Sequence, residues 1–329
     1  MFGIVNKLRG RTGGVGEPGP EGPIGPQGPP GLAGKDGLNG LNCEQVPTTP
    51  GRVCYVDNQG YLDPSIYKPI FKSMKDAFKE LRGGDTIMLY GKIDESDLRS
   101  PDRNVTDVTI RGMNTRTRPG HGGESAMAGG ADWGNEKDNF SDPLLTVISQ
   151  GWRIQNIHFG GHIKLSRSLD MMESGSHAEF RDCTFSGGAI GISDHGGCTN
   201  VGIFGCHFYG FNKPEQIAIK STSTAFAWPL WWEIVGNRFM HNWGHIQLAL
   251  SNGIVKDNAF FMRGPEPDKF NQIALDLSVG KNNLVAHNNF GCRSDEPNYA
   301  NTAYRMGAGD VWGPNYFSDK EIYGLPKEK

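Results

Sequence analysis

The stretch IQNIHF, residues 154–159, is the first of six related segments that decide the fold. The later copies are FRDCTF ending at Phe185, IFGCHF at Phe208, IVGNRF at Phe239, VKDNAF at Phe260 and VAHNNF at Phe290. The intervals between the phenylalanines are 26, 23, 31, 21 and 30 residues. Unequal intervals exclude a propeller of equal blades and favour a solenoid whose turns vary in length.

Each repeat consists of short β-rich runs broken by Gly, Asn and Asp, with no helical period across them. The sequence therefore predicts an all-β chain and looks like a right-handed parallel β-helix. Stacked coils would align one interior aliphatic row and one phenylalanine row. The predicted aliphatic row consists of Ile154, Phe180, Ile203, Ile234, Val255 and Val285.

The position two residues before each Phe is occupied by Ile157, Cys183, Cys206, Asn237, Asn258 and Asn288. The three asparagines predict a ladder in which each amide bonds to the amides above and below. We expect Cys183 and Cys206 to be stacked, buried thiols rather than metal or redox groups.

The segment SMKDAFKELRGGDTIMLYG, residues 73–91, predicts a helix with Met74, Ala77, Phe78 and Leu81 on one face, followed by a strand. It resembles the opening of pectate-lyase-like β-helix proteins, in which a helix caps the first coil. Residues 104–114, NVTDVTIRGMN, continue this resemblance. We predict a capped β-helix over residues 68–292.

The segment GEPGPEGPIGPQGPPGLAGKDGLNGLN, residues 16–42, has glycine at every third position. Such a period is typical of a collagen triple helix, because only glycine fits the axis where three chains meet. A disordered Gly/Pro linker is the alternative. A triple-helical stalk predicts a homotrimer, with these stalk glycines on the axis: Gly16, Gly19, Gly22, Gly25, Gly28, Gly31, Gly34, Gly37 and Gly40.

The remaining segments are shorter than the predicted β-helix. Residues 1–15 have a short apolar patch followed by basic residues, which is too short for a secretory signal peptide, so we expect either an anchor that docks into a larger assembly or a frayed terminus. Residues 43–67 are a predicted connecting region in which Cys43 and Cys54 could pair. Residues 293–329 are a predicted tail that crosses or locks the distal end.

The 329-residue chain has a net charge of -3 and 21% charged residues, which gives no basic patch for nucleic acid or an anionic membrane. No long apolar run predicts a membrane span. A short N-terminal segment, collagen triplets and a β-helix together resemble the trimeric fibres and tailspikes of bacteriophages. This resemblance implies a virion protein whose N-terminus attaches to phage tail or capsid proteins.

Two regions are candidates for ligand binding. The glycine-rich segment 114–142 is predicted to be a loop and contains Arg118, His121 and Trp133. Strand alternation sends Trp231 and Trp232 to opposite faces, so at least one should lie outside the core. An exposed tryptophan offers a flat face for a sugar ring, although packing in a trimer would favour the same residue.

The catalytic candidates are Glu179, Asp182, Asp194 and His195. A histidine beside a carboxylate can act as a general base, and the DH dipeptide at 194–195 is similar to one on a pectate lyase coil. The R-x-P-x-x-R setting of that family's arginine base has no match here. The pairs His158/His162 and His241/His245 are too widely spaced along a strand for one zinc ion, so we expect no metal and no cofactor.

Three functions fit these features. The preferred one is an adhesin that binds a host-surface polysaccharide from the phage particle. The first alternative is a depolymerase, a lyase or hydrolase on the same scaffold. The second alternative is a structural fibre or decoration protein.

Overall fold

The structure is a computed structural model that describes residues 51–113, 131–134, 142–170, 172–221, 229–262, 273–292, 304–317 and 320–325. All described residues belong to one compact unit, Thr49–Lys329. The predicted anchor and stalk lie outside the described residues, so both stay predictions.

The described residues form many short strands and one helix. The first elements along the chain are β1 (Val53–Val56), β2 (Ile70–Phe71), α1 (Met74–Glu80), β3 (Thr86–Leu89), β4 (Lys92–Ile93), β5 (Leu98–Arg99), β6 (Thr109–Gly112), β7 (Ala131–Gly134) and β8 (Leu145–Val147). The middle strands are β9 (Arg153–Gln155), β10 (Ile157–Gly160), β11 (Ile163–Ser166), β12 (Glu179–Arg181), β13 (Thr184–Ser186), β14 (Ile190–His195), β15 (Gly202–Phe204), β16 (His207–Tyr209), β17 (Ile217–Ser221), β18 (Glu233–Val235), β19 (Arg238–Met240) and β20 (Gly244–Gln247). The last strands are β21 (Ile254–Lys256), β22 (Ala259–Met262), β23 (Ile273–Asp276), β24 (Leu284–Ala286), β25 (Asn289–Cys292), β26 (Tyr304–Arg305), β27 (Val311–Trp312), β28 (Asn315–Phe317) and β29 (Lys320–Ile322).

These strands pair into three long sheets. Sheet A has the order β2-β1-β3-β6-β9-β12-β15-β18-β21-β24-β27, sheet B runs from β4 to β28 and ends with β29, and sheet C runs from β5 to β26. Successive strands such as β9, β10 and β11 enter sheets A, B and C in turn, and each pairs in parallel with its counterpart in the next coil. The chain is therefore a parallel β-helix, as the repeats predicted. The right-handed winding stays a prediction.

The β-helix extends beyond the predicted limits of residues 68–292. Strand β1 pairs in parallel with β3, so the first strand of sheet A lies inside the predicted connecting region. Strands β26, β27 and β28 pair with the coil before them, so much of the described tail is a further coil. Strand β29 then pairs antiparallel with β28. The repeat missed these end coils because neither carries the full hexapeptide pattern.

Helix α1 occupies the predicted position. Its N-cap is Ser73, whose hydroxyl accepts a hydrogen bond from the backbone N–H of Asp76 at 3.0 Å. The helix buries Met74, Ala77 and Phe78, and the Phe78 ring meets Trp152 edge to face with 5.8 Å between ring centroids. The helix packs beside β1 and β2, at the end of sheet A. No helix in the described ranges is long and apolar enough to cross a membrane.

The interior consists of in-register rows. The predicted aliphatic row is confirmed, since Ile154, Phe180, Ile203, Ile234, Val255 and Val285 pair successively. The phenylalanine row is also confirmed, with ring centroids 4.8 to 5.1 Å apart from Phe159 to Phe290. A third row in sheet C consists of Leu98, Leu145, Ile163, Ile192, Ile219, Ile246, Leu275 and Tyr304.

The predicted asparagine ladder forms at the turn between sheets A and B. The Asn258 Oδ1 atom accepts from the backbone N–H of Asn237 at 2.9 Å and from its Nδ2 at 3.0 Å. Asn288 accepts the same pair of bonds from Asn258, and Asn315 accepts them from Asn288. Cys183 and Cys206 continue this position as buried, free thiols. The ladder satisfies buried backbone groups that a turn would otherwise leave without partners.

Candidate functional site

The outer face of sheet B carries two rows of side chains that face away from the phenylalanine stack. The first row is Asp132, His158, Thr184, His207, Arg238, Ala259 and Asn289. The second row is Ser186, Tyr209, Met240, Phe261 and Gly291. Their outward direction follows from strand alternation, because Trp133, Phe159 and Phe185 beside them point into the core.

Three side chains of these rows are connected by hydrogen bonds. The Nδ1 atom of His158 lies 3.0 Å from Oδ1 of Asp132, and its Nε2 atom lies 2.6 Å from Oγ of Ser186. His158 and Ser186 are 5% and 7% exposed, whereas the Asp132 side chain is 27% exposed. In the Nδ1–H tautomer the imidazole donates to the carboxylate and accepts the serine hydroxyl proton. This connectivity is that of a serine, a base and a carboxylate that orients the base.

The fold explains how the three residues meet. Strands β7, β10 and β13 are neighbours in sheet B, and parallel strands lie about 4.8 Å apart. Thr184 is the register partner of His158, and Ser186 follows on the same face of β13. Ser186 ends its strand, and the next two residues, Gly187 and Gly188, have φ values of 69° and 82°. The chain therefore turns away immediately after the serine, and the two residues that follow it have no side chains.

An aromatic stripe, defined as Tyr209, His241 and Phe261, continues along the same outer face. The rings of Tyr209 and His241 meet edge to face with centroids 5.5 Å apart, and those of His241 and Phe261 are also 5.5 Å apart. Phe261 is 39% exposed, and the other two are partly exposed. Tyr209 is the register partner of Ser186, so the stripe begins directly beside the serine.

Trp231 occupies a separate exposed position, at the corner that leads into sheet A. Its φ is 56°, in the left-handed region, and its side chain is 53% exposed. The equivalent residue of the other coils, two places before each sheet A strand from β3 to β27, has φ between 53° and 82°. Those residues are Gly84, Asp107, Gly151, His177, Asn200, Asn252, Asn282 and Gly309. A bulky residue is strained in this region, so Trp231 is an unusual residue type for a corner whose conformation it shares.

The other two tryptophans proposed for ligand binding lie in the core, and this corrects the sequence interpretation. Trp133 is fully buried, packs against Phe159 with tilted rings whose centroids are 5.7 Å apart, and donates its indole N–H to the Glu95 carbonyl at 2.8 Å. It lies on strand β7, inside the segment 114–142 that was predicted to be a loop. Trp232 is fully buried and donates to the Cys198 carbonyl at 2.7 Å. Arg118 and His121 lie outside the described residues.

Asp194 and His195 do not form a catalytic pair, which corrects the second interpretation. They are successive residues of β14, so their side chains point to opposite faces of sheet C. Asp194 points inward and accepts hydrogen bonds from the backbone N–H groups of Gly197 and Cys198 at 3.1 and 2.7 Å. Burial raises the pKa of Asp194 to about 6, whereas burial and Lys164 lower the pKa of His195 to about 4.

Glu179 and Asp182 also have positions that do not suit paired acid catalysis. Glu179 binds the Arg181 guanidinium through both carboxylate oxygens, at 2.5 and 3.1 Å, and that guanidinium lies 4.4 Å from the centre of the Phe204 ring. Asp182 is exposed at the turn between sheets A and B, with φ of 52°. The Glu179 carboxylate is therefore already paired with Arg181.

A second serine–histidine pair lies on sheet C. The Nε2 atom of His162 lies 2.5 Å from Oγ of Ser193, and both side chains are buried. Burial lowers the pKa of His162 to about 4, with smaller effects from His195 and Lys164. Among the described residues, no acidic side chain is hydrogen-bonded to His162. This pair therefore lacks the carboxylate that His158 has.

The described part of the chain contains no group of three or more His, Cys, Asp or Glu side chains placed to bind one metal ion. His158 bonds to Asp132 and Ser186, and His245 bonds to Asn242 with 3.1 Å between Nδ1 and Nδ2. Cys54 is a buried, free thiol, and its suggested partner Cys43 lies outside the described residues.

Sequence reasoning missed the His158–Ser186 site and the aromatic stripe. The available signal was the residue before the phenylalanine in the first four repeats, since His158, Thr184, His207 and Arg238 are all polar. Only the register across strands brings Asp132 to His158, because the two residues belong to different coils.

No family model and no curated protein matches this chain. Among solved structures, the chain is similar to a PL6 family alginate lyase, AlyGC, with a TM-score of 0.36 and 13% sequence identity. The similarity covers 74% of this chain and 37% of that enzyme, so the chain spans little more than a third of its length.

Proposed function

We propose that this protein is a fibre or tailspike of a bacteriophage particle and that its β-helix binds a polysaccharide on the host cell surface. The observation that carries the binding proposal is the aromatic stripe of Tyr209, His241 and Phe261 on the outer face of sheet B. Partly exposed rings on a rigid sheet are suited to sugars, because ring faces pack against apolar C–H faces at little entropic cost.

The surroundings of the stripe supply polar contacts. Arg238 is exposed in the adjacent row, in register with His207, and offers guanidinium donors to hydroxyl or carboxylate groups. Successive strands place side chains about 4.8 Å apart, so the stripe can follow an extended chain across several coils. A linear polysaccharide is therefore the ligand class that fits this face best.

The assembly part of the proposal depends on the N-terminal sequence. Nine glycines at strict three-residue spacing favour a triple-helical stalk, which requires three copies of the chain. Three copies would multiply weak contacts with a repeating glycan, because the second and third contacts become intramolecular. Helix α1, packed beside β1 and β2, would cap the open end of the β-helix, and Trp231 is a candidate for contacts between copies or with the glycan.

The test uses purified full-length protein and envelope polysaccharide extracted from candidate host strains. We expect sedimentation at three times 36.0 kDa and retention on the immobilised polysaccharide. Phe261→Ala and Tyr209→Ala should weaken retention at least about 10-fold. Tyr61→Ala, which removes an exposed ring that contacts Tyr90 instead of the stripe, is the matched control and should leave retention unchanged.

Two outcomes would overturn the proposal. A protein that is monomeric in solution would contradict both the triple-helical stalk and multivalent binding. Unchanged retention of both Phe261→Ala and Tyr209→Ala would show that the aromatic stripe is not the binding surface. Shortening of the polysaccharide during incubation would instead favour the depolymerase alternative.

A further inference from the structure

We propose that Ser186, His158 and Asp132 form a hydrolytic site that cleaves small acyl esters, and that its substrate is an acyl-substituted sugar held on the aromatic stripe. The choice of a sugar substrate rests on the proposed function above. The ester chemistry itself rests only on the geometry of the three side chains.

The geometry assigns a separate role to each residue. Ser186 is the nucleophile, and His158 is the base because its Nε2 atom lies 2.6 Å from the serine oxygen. Asp132 is a positioning residue, since its Oδ1 atom lies 3.0 Å from Nδ1 and holds the imidazole in the tautomer that can accept a proton at Nε2. Burial of the histidine and serine keeps water from competing for these hydrogen bonds.

The reaction needs only the ester and water. The Ser186 oxygen bonds to the carbonyl carbon while His158 takes the hydroxyl proton. The bond from that carbon to the sugar oxygen then breaks, and the sugar oxygen leaves with the proton from His158. Water attacks the resulting acyl-serine, His158 takes the water proton and returns it to the serine oxygen, and a carboxylic acid is released.

Three features limit the substrate to a small acyl group on a larger molecule. Ser186 is only 7% exposed, so a bulky acyl chain would not fit. The partly exposed Gly187 and Gly188 follow it, so these two residues add no side-chain bulk next to the serine. Tyr209 is its register partner, so a sugar on the stripe would bring its substituents close to the serine.

Thr184 supplies a further polar group at this site. Its Oγ1 atom is buried and has no hydrogen-bond partner among the described residues. It lies on the same face as Ser186 and in register with His158. Buried polar atoms are normally paired, so Thr184 is an unsatisfied polar group next to His158.

The first experiment identifies the reactive serine without any glycan. Full-length protein is treated with diisopropyl fluorophosphate, and the modified peptide is found by mass spectrometry. We expect an adduct on Ser186 and none on Ser193, whose His162 partner is without a bonded carboxylate in the described structure. Absence of an adduct on Ser186 would overturn the proposal.

The second experiment measures hydrolysis of 4-nitrophenyl acetate. Ser186→Ala and His158→Asn should each lower kcat/KM about 1,000-fold or to the background rate, whereas Ser193→Ala should leave it unchanged. Asp132→Asn should lower kcat with little change in KM, and Asp132→Glu should recover part of that loss. Circular dichroism and the melting temperature check that each variant is folded.

The two proposals fail in different ways. If the wild-type protein is not retained on the polysaccharide but Ser186 is still labelled by diisopropyl fluorophosphate, the sugar substrate is wrong. The proposal of a hydrolytic site then still stands. Hydrolysis that persists in folded Ser186→Ala would overturn the hydrolase and show that the three residues form a structural hydrogen-bond network. Release of acetate from acetylated envelope polysaccharide, lost in Ser186→Ala, would support both.

Discussion

Trp231 and Trp232 are adjacent in sequence, yet the Trp231 side chain is 53% exposed and the Trp232 side chain is fully buried. The difference arises at the corner, where the left-handed conformation of Trp231 directs one indole outward and the next residue inward. The outward tryptophan occupies a position that other coils fill with Gly, Asn, Asp or His. The fold therefore tolerates Trp231 rather than requiring it.

We expect Trp231→Asn to stabilise the protein by about 1 kcal/mol, because asparagine adopts positive φ at lower cost. Trp232→Ala should destabilise it by about 3 to 5 kcal/mol through the loss of a buried ring and of the bond to the Cys198 carbonyl. Denaturant unfolding of both variants checks this. A Trp231→Asn variant less stable than the wild type would contradict the strain at the corner.

Phe260 in the phenylalanine stack and its neighbour Phe261 on the outer face allow a matched comparison of stability. Phe260→Ala should cost about 3 to 5 kcal/mol of unfolding free energy, because its ring stacks between Phe239 and Phe290 at 4.8 and 4.9 Å. Phe261→Ala should cost below about 1 kcal/mol, since its ring lies on the outer face. Equal losses in the two variants would refute the assigned faces of strand β22.

Substitution of the central residue of the asparagine ladder should destabilise the protein. Asn258→Ala removes the acceptor for two groups of Asn237 and the donor to Asn288, and we expect a loss of about 2 to 3 kcal/mol. Asn252→Gly, at an exposed corner with φ of 53°, is the control and should change stability little. Thermal unfolding measures both variants. An Asn258→Ala variant as stable as the wild type would rule out a stabilising ladder.

His162 should make the protein acid-sensitive. Its folded pKa is about 4, below the unfolded value of about 6.5, so the unfolded chain binds the proton more readily between these values. This contribution to stability is complete above pH 6.5 and falls by up to about 3 kcal/mol as the pH drops towards 4. Burial is the main cause, and His195 and Lys164 add to it.

The His162→Gln variant isolates this effect. The difference in unfolding free energy between wild type and variant should decrease as the pH falls from 6.5 to 4. Asp194 acts in the opposite direction, because its raised pKa of about 6 favours the folded state as the pH falls, but it is common to both proteins. If this difference in unfolding free energy is constant with pH, protonation of His162 does not cause the acid sensitivity.

The repeats predicted the fold because their periodicity is local. An apolar residue, a short turn and a phenylalanine recur in each coil, so the rows from Ile154 to Val285 and from Phe159 to Phe290 could be identified before any pairing was known. The turn itself needs positive φ at Asn156, Asp182, Gly205, Gly236, Asp257 and His287, and most of these are residue types that favour it.

The end coils and strand β7 were not predicted, because the prediction depended on the local hexapeptide repeat. Trp133 and Phe317 continue the phenylalanine row in register, but the sequence around them lacks the hexapeptide. Trp133 therefore looked like a loop residue that could bind a ligand, although it is a core residue.

The sequence alone determined that coils stack, which residues fill them and that a collagen-like segment precedes them, because these properties depend on residue type and short-range spacing. Only the tertiary structure decided which polar side chains meet on the outside. Asp132, His158 and Ser186 come from three strands of sheet B that lie far apart in sequence, so no short motif marks them. The parallel register of sheet B is what brings their oxygen and nitrogen atoms within hydrogen-bond distance.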